Sequence, residues 1–135
     1  MKIIMVGNGA FAKKHLDGLK NIDDVEVISI VGRRPEATQG IAEQYGISHS
    51  TTDLAEALDQ PGVEAAILTS PTQVHTEQAI QCMQAGKHVE IEIPMSDSLA
   101  DADAICSMQK ETGLVAMAGH TCTPSALVGQ FKVIV

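Results

Sequence analysis

The sequence predicts an α/β domain built on a doubly wound, mostly parallel sheet of the Rossmann type. Two observations point there. Six apolar strand candidates alternate with helical stretches along residues 1–120, a rhythm that yields parallel strands with helices over both faces. The first strand candidate also runs straight into a glycine loop that opens a helix, as in a dinucleotide-binding crossover. The right-handed crossover rule leaves few other topologies.

Taken in order, KIIMV (2–6) is a continuous apolar run that ends on glycine. AFAKKHLDGLK (10–20) sets Phe11, His15, Leu16 and Leu19 at helical spacing. VEVISIV (25–31) is apolar and β-branched, which suits a buried strand. PEATQGIAEQYG (35–46) has proline at the first helical position and glycine after the end. A weak strand is expected over 47–50 and a short helix from Asp53, with TTD as its cap. EAAILTS (64–70) predicts a strand, 72–85 a helix closed by Gly86, and HVEIEI (88–93) a further strand. A helix over 98–112 closed by Gly113 and the strand LVAMAG (114–119) complete the series. The stretch 121–135, TCTPSALVGQFKVIV, breaks the rhythm and is set apart as an atypical tail to a domain over 1–120.

Composition narrows the function classes. Of 135 residues, aromatics make up 2% and Trp is absent, so the core must be built from Ala, Val, Ile, Leu and Met. A net charge of −8 argues against nucleic acid and anionic membranes as partners, because both need a basic footprint. Cys82, Cys106 and Cys122 lie far apart in no C-x-x-C pair, as expected of reduced thiols in the cytoplasm. The start, MKIIMVGNGA, is too short and glycine-broken for a signal peptide, and no run approaches about 18 apolar residues. A soluble cytoplasmic protein is expected. No His, Cys or acidic residues have metal-ligand spacing, so no metal site is expected.

The chemistry concentrates in two loops. Residues 7–12 read G-N-G-A-F-A, a G-x-G-x-x-A loop between strand and helix. Gly7 permits the tight turn, Gly9 lets the backbone approach a pyrophosphate, and Ala12 keeps helix and sheet close. The N–H groups that open the helix, at Ala10 and Phe11, then face the phosphates with the positive end of the helix dipole. An NAD-type site carries an acid at the end of the second strand, bonded to the adenosine ribose 2′-hydroxyl. Here that place holds VGRRPE, with Arg33 and Arg34 and no carboxylate before Glu36. Adjacent guanidiniums suit a 2′-phosphate, so NADP is expected over NAD.

Further along, Ser70-Pro71-Thr72-Gln73 with His75, then Ala85-Gly86-Lys87-His88-Val89, then Glu92-Ile93-Pro94 follow one another at definite spacing. In these motifs the chain resembles the Gfo/Idh/MocA family of oxidoreductases. Similar proteins have a T-P-x-x-x-H turn after the fourth strand, an A-G-K-H-V entry to the fifth and an E-K-P motif at its end. The resemblance implies that Ser70, Pro71, Thr72 and His75 lie along the cofactor. It places Glu92 by the nicotinamide ribose, unless it is only a solvated strand-end carboxylate, and Ile93 beside the nicotinamide. Relatives with lysine at that last position use it to help remove a hydroxyl proton as hydride leaves.

The chain is most similar to members that use NADP, or NAD less well, to oxidise the cyclic hemiacetal of a carboxylated semialdehyde in aromatic-compound degradation. Those members also carry an apolar residue in place of the lysine. A hemiacetal hydroxyl is more acidic than a sugar hydroxyl, so a histidine could serve as base. His120, at the carboxyl edge of the sixth strand, is the candidate catalytic acid/base. His88 reads as structural, and His15 and His49 as surface or satisfied core residues.

Such relatives continue past residue 121 into an arginine-containing segment and a second α/β domain with the substrate pocket, whereas 121–135 carries no arginine. The expectation is a truncated dehydrogenase that retains its dinucleotide-binding domain. It would act on a small carboxylated semialdehyde only with a substrate domain supplied. The alternative is a catalytically silent NADP(H)-binding or interaction module. Apolar surface left uncovered, together with ALVGQFKVIV, favours self-association, so a homo-oligomer is expected.

Overall fold

A computed structural model describes residues 1–119; His120 and the tail 121–135 lie outside the described residues. The strands are β1 (Lys2–Val6), β2 (Glu26–Val31), β3 (His49–Thr51), β4 (Val63–Leu68), β5 (His88–Glu92) and β6 (Ala116–Gly119). Between them run α1 (Ala10–Leu19), α2 (Pro35–Tyr45), α3 (Leu54–Leu58), α4 (His75–Gln84) and α5 (Leu99–Thr112). All neighbouring strands pair in parallel, in the order β3-β2-β1-β4-β5-β6. This is the doubly wound sheet that the alternating pattern predicts.

Successive residues of a strand face opposite sides. Ile3 and Met5 of β1 therefore pack with Ala12, Leu16 and Leu19 of α1 and Ala42 of α2. Ile4 and Val6 pack on the other side with Leu54, Ala79, Met83 and Ile105, from α3, α4 and α5. Both faces of the central strands are thus buried, which explains why KIIMV is a run rather than an alternation. No helix among the described residues is long and apolar enough to cross a membrane.

Caps and stops fall where the side chains ask for them. Asp53 accepts from Ala55 N–H at 2.9 Å at the start of α3, and Ser98 accepts from Asp101 N–H at 3.1 Å at the start of α5. Pro35 opens α2, and Gly46 closes it in the left-handed region.

Four local expectations are corrected. Phe11, placed by helical spacing with His15, Leu16 and Leu19, is half-exposed and lines a crevice at the carboxyl end of β1, while the packed face of α1 is Ala12, His15, Leu16 and Leu19. Strand β4 ends at Leu68; Thr69 N–H still donates to the Val6 carbonyl at 2.7 Å, and Ser70 beyond it leaves the ladder and forms a rim. The stretch 72–85 is a 3-10 turn, Thr72–Val74, followed by α4 from His75. Leu114 and Val115 precede β6 instead of belonging to it, the backbone of Val115 being turned to the His88 ring, whose Nδ1 accepts its N–H at 3.1 Å.

Candidate functional site

Strand β1 has β2 on one side and β4 on the other, so the chain reverses direction across the sheet at the carboxyl end of β1. In open α/β sheets, ligands bind at that switch point. Here it opens into a crevice of about 430 Å³ between the ends of β1, β2 and β4. Of the sequence-predicted residues, Gly7, Gly9, Ala10, Phe11, Arg33, Ser70 and Pro71 line it.

The glycines of the loop have different tasks. Gly7 has φ +120°, and a Cβ there would lie 2.9 Å from the Thr69 carbonyl carbon, so both conformation and space demand glycine. Its N–H extends the sheet by donating to the Val31 carbonyl at 2.8 Å. Gly9 has a common φ and nothing within 4 Å of where a Cβ would stand. Its bareness leaves room on the crevice side for a ligand.

Helix α1, which starts at Ala10, differs from α3 and α5. It has no side-chain cap and no acidic residue in its first turn, so its leading N–H groups and dipole end are left for an anion. Arg33 is exposed beside it, and among the described residues neither Arg33 nor Arg34 has a salt-bridge partner. Glycine spacing, an uncapped helix end and a free guanidinium all fit a pyrophosphate-bearing nucleotide. Arg34 is the N-cap of α2, outside the lining of the crevice, and its carbonyl accepts from Thr38 N–H at 2.9 Å and Thr38 Oγ1 at 2.8 Å.

One contact at this end was not legible from the motif. Asn8 Nδ2 donates to the buried Thr38 Oγ1 at 3.0 Å, and a Cβ on Gly32 would come within 2.7 Å of Asn8 Nδ2. The x of G-x-G thus latches the phosphate loop onto α2 and the arginine turn. Thr52, Leu54, Thr69 and Gln78 also line the crevice. They lie far from the loop in sequence, and no spacing announces them.

The opposite rim departs from expectation. His75 is buried, its Nε2 2.7 Å from the Ser70 carbonyl and its Nδ1 3.0 Å from the Pro94 carbonyl. Both ring nitrogens are occupied by protein, so neither points into the crevice. Glu92 is buried too, neither solvated nor turned to the rim: Oε1 is 2.7 Å from His15 Nε2, and Oε2 accepts the Ile93 N–H at 3.2 Å. Thr72 sits in the 3-10 turn, while Ile93 is exposed beside Pro94. Neither lines the crevice. His49 bonds Ser29 Oγ at 2.9 Å. His120 lies outside the described residues.

Glu90 has no counterpart in the sequence reading. Two positions before Glu92 on β5, it points to the same side of the sheet, is buried, and neither oxygen has a hydrogen-bond partner. Burial is the main cause that raises its carboxyl to about 7; His15 pulls it down and Glu92 pushes it further up. Gly119, on the neighbouring strand, leaves it space, since a Cβ there would be 2.8 Å from Glu90 Oε1.

Comparison with known proteins agrees with this geometry. Residues 1–120 match the profile of the GFO_IDH_MocA oxidoreductase family, described by its NAD-binding Rossmann fold. Over 121 residues the chain is 58% identical to 4-carboxy-2-hydroxymuconate-6-semialdehyde dehydrogenase of Sphingobium sp., covering 90% of this chain and 38% of that protein. It is 32% identical over 119 residues to myo-inositol 2-dehydrogenase of Thermotoga maritima, covering 88% of this chain and 36% of that one. The crystal structure of the WlbA dehydrogenase from Chromobacterium violaceum, in complex with NADH and UDP-GlcNAcA, superposes with a TM-score of 0.86. That match covers 98% of this chain and 39% of the other at 26% identity. The chain therefore spans less than two-fifths of the length of each of these relatives.

Proposed function

The chain belongs to the Gfo/Idh/MocA oxidoreductase family through a dinucleotide-binding Rossmann domain, and from that premise we propose that it is the NADP-binding domain of a semialdehyde dehydrogenase. The observation that carries the cofactor choice is the end of β2. Arg33 stands at the crevice where an NAD site would present a carboxylate, and the first acid after it is Glu36, in the first turn of α2.

In this reading the loop at Gly7 and Gly9, with the N-terminus of α1, holds the pyrophosphate. Arg33 and Arg34 take the 2′-phosphate through charge-assisted hydrogen bonds. The cofactor, when bound, supplies a nicotinamide that accepts hydride. Ser70 and Pro71 line the wall toward which its nicotinamide half extends, past β4. Ile93 carries no titratable atom, so the hydroxyl proton of the substrate must pass to another base. His120 is the proposed one.

The substrate proposed is the cyclic hemiacetal of 4-carboxy-2-hydroxymuconate-6-semialdehyde, oxidised to 2-pyrone-4,6-dicarboxylate in aromatic degradation. The 58% identity to the Sphingobium dehydrogenase supports that choice. Turnover in this reading requires a substrate domain in addition to residues 1–119. The exposed Ile93 favours one other reading, a catalytically silent NADP(H)-binding module.

Calorimetric titration of the 135-residue protein with NADPH and with NADH tests the cofactor assignment. NADPH is expected to bind at least about tenfold tighter, roughly 1.4 kcal/mol. Equal affinities would overturn the NADP assignment, and absence of binding would overturn the site. Turnover of the hemiacetal then separates the dehydrogenase from the silent module.

A further inference from the structure

Two turns project beyond the sheet on the β4–β5 side of the crevice, one at Ser70 and Pro71, the other at Ile93 and Pro94. Strand pairing holds neither, because β4 ends at Leu68 and β5 at Glu92. What holds them is a chain of polar contacts, buried at His15–Glu92 and part-buried beyond it. His15 of α1 meets Glu92 Oε1 at 2.7 Å across 77 positions, with side chains 2% and 6% exposed. The other oxygen of Glu92 takes the Ile93 N–H at 3.2 Å. One residue on, the Pro94 carbonyl contacts His75 Nδ1 at 3.0 Å, and His75 Nε2 reaches the Ser70 carbonyl at 2.7 Å. Ser70 Oγ in turn donates to Gln78 Oε1 at 2.5 Å, and both residues line the crevice.

We propose that His15, Glu92 and His75 are positioning residues that brace the nicotinamide half of the crevice, acting through the two turns without touching the ligand. The proposal rests on the dinucleotide reading above and assigns these three side chains a task within it. Three features carry it. His15 Nε2, both Glu92 oxygens and both His75 ring nitrogens contact protein, and none of these three residues lines the crevice, so their direct contact with a ligand there is not on offer. The links tie the helix that follows the phosphate loop to the wall opposite, so they set the width between the two. Buried, satisfied networks of this kind hold a geometry because breaking one bond strands its partner away from water. The Ser70 and Pro94 carbonyls are acceptors only, so a neutral His75 ring donates to one of them and a charged ring to both.

A ligand that lacks nicotinamide isolates the effect. 2′-Phospho-ADP-ribose offers the adenosine, the 2′-phosphate and the pyrophosphate, and should depend on Gly9 and Arg33 but not on the brace. Titration of the wild-type chain and of His15→Leu and His75→Leu with this probe and with NADPH gives two dissociation constants per protein. The variants should lose about tenfold of the NADPH advantage while binding the probe within about twofold of wild type. His15→Gln and His75→Gln, which restore an N–H donor, should recover part of that loss. The emission of bound NADPH should shift toward that of free NADPH in the leucine variants alone.

An unchanged ratio of the two constants, or an equal weakening of both ligands, would show a merely structural role and overturn the proposal. Wild-type protein that binds both ligands equally would overturn the brace and leave the dinucleotide site standing; failure to bind either would overturn both. Should the leucine variants not fold by circular dichroism, Glu92→Gln keeps the volume and removes the charged acceptor, and the same ratio decides.

Discussion

The two halves of the crevice are built on opposite principles. On the β1–β2 side the polar groups are left open: α1 is uncapped, Gly9 has empty space beside it, and Arg33 is exposed without an ion pair among the described residues. On the β4–β5 side the polar groups are spent on one another, with Glu92 on His15 and His75 on two carbonyls. In the proposed reading the first surface receives charged phosphates, which suits donors left unsatisfied by protein. In the same reading the second surface holds a flat ring at a fixed angle, which suits backbone turns tied down by hydrogen bonds. The first kind of half should be sensitive to added bulk and to charge, the second to lost hydrogen bonds.

The largest expected effect lies at the junction of the halves. Gly7→Val places a branched side chain at φ +120° against the Thr69 backbone, whose carbonyl carbon would be 2.9 Å from the new Cβ. Strain and overpacking together should cost roughly 3 kcal/mol or more, read as a drop in the urea midpoint. Gly9→Ala should leave the stability within about 0.5 kcal/mol of wild type, since nothing lies within 4 Å of its Cβ. Equal destabilisation by the two would contradict the division of labour between the glycines.

The closed half has one unsatisfied member, and it makes stability depend on pH. The Glu90 carboxyl is raised by burial from 4.5 to about 7, so between those values the folded chain keeps a proton that the unfolded chain has released. Stability therefore falls as pH rises through that window, by up to roughly 3 kcal/mol once the buried carboxylate is fully charged. His15 and Glu92 are the titratable neighbours that pull in opposite directions. Glu90→Gln should remove this slope and be the more stable protein at pH 8, as judged from urea midpoints between pH 5 and 8. A wild-type midpoint that rises over that range would sink the assignment.

What was legible in the sequence follows the same division. Gly7, Gly9, Arg33 and the strand–helix rhythm depend on neighbours a few residues away, and local spacing suffices to find them. His75 and Glu92 were expected along the cofactor and lie inside the protein, because their partners are fixed by which strands sit side by side. Nothing in HVEIEI says that His15 will meet its last glutamate. The alternation of Glu90, Ile91 and Glu92 did hold a hint, since charges at every second strand position must share one face. That face is buried here, a fact that only the packing of α1 reveals. Phe11 is half-exposed for a related reason: helical periodicity gives the side of the helix but not where a crevice opens beside it.

A test of the open half by removal of charge should show a smaller effect. Arg33→Ala should weaken NADPH by about 2 kcal/mol, the scale of a charged hydrogen bond, and leave NADH nearly unchanged. Both are read by calorimetry. Parallel losses for the two cofactors would place Arg33 on the pyrophosphate instead, and any preference for NADP would then have to come from Arg34.

The finest test converts one kind of half into the other. Asp53 and Ser98 show what a satisfied helix start looks like in this chain, each accepting a backbone N–H in the first turn. Gly9→Asp would give α1 the same cap, with a carboxylate in the space now empty beside residue 9. Without ligand the variant should be slightly more stable, by a few tenths of a kcal/mol, since a cap over glycine gains little. With NADPH it should bind about tenfold worse, roughly 1.4 kcal/mol, because the new charge occupies the anion seat and repels the phosphates. Its urea midpoint and its NADPH titration should thus move in opposite directions. If stability and binding rise or fall together, the bare N-terminus of α1 is not the phosphate seat, and the openness of this half has some other cause.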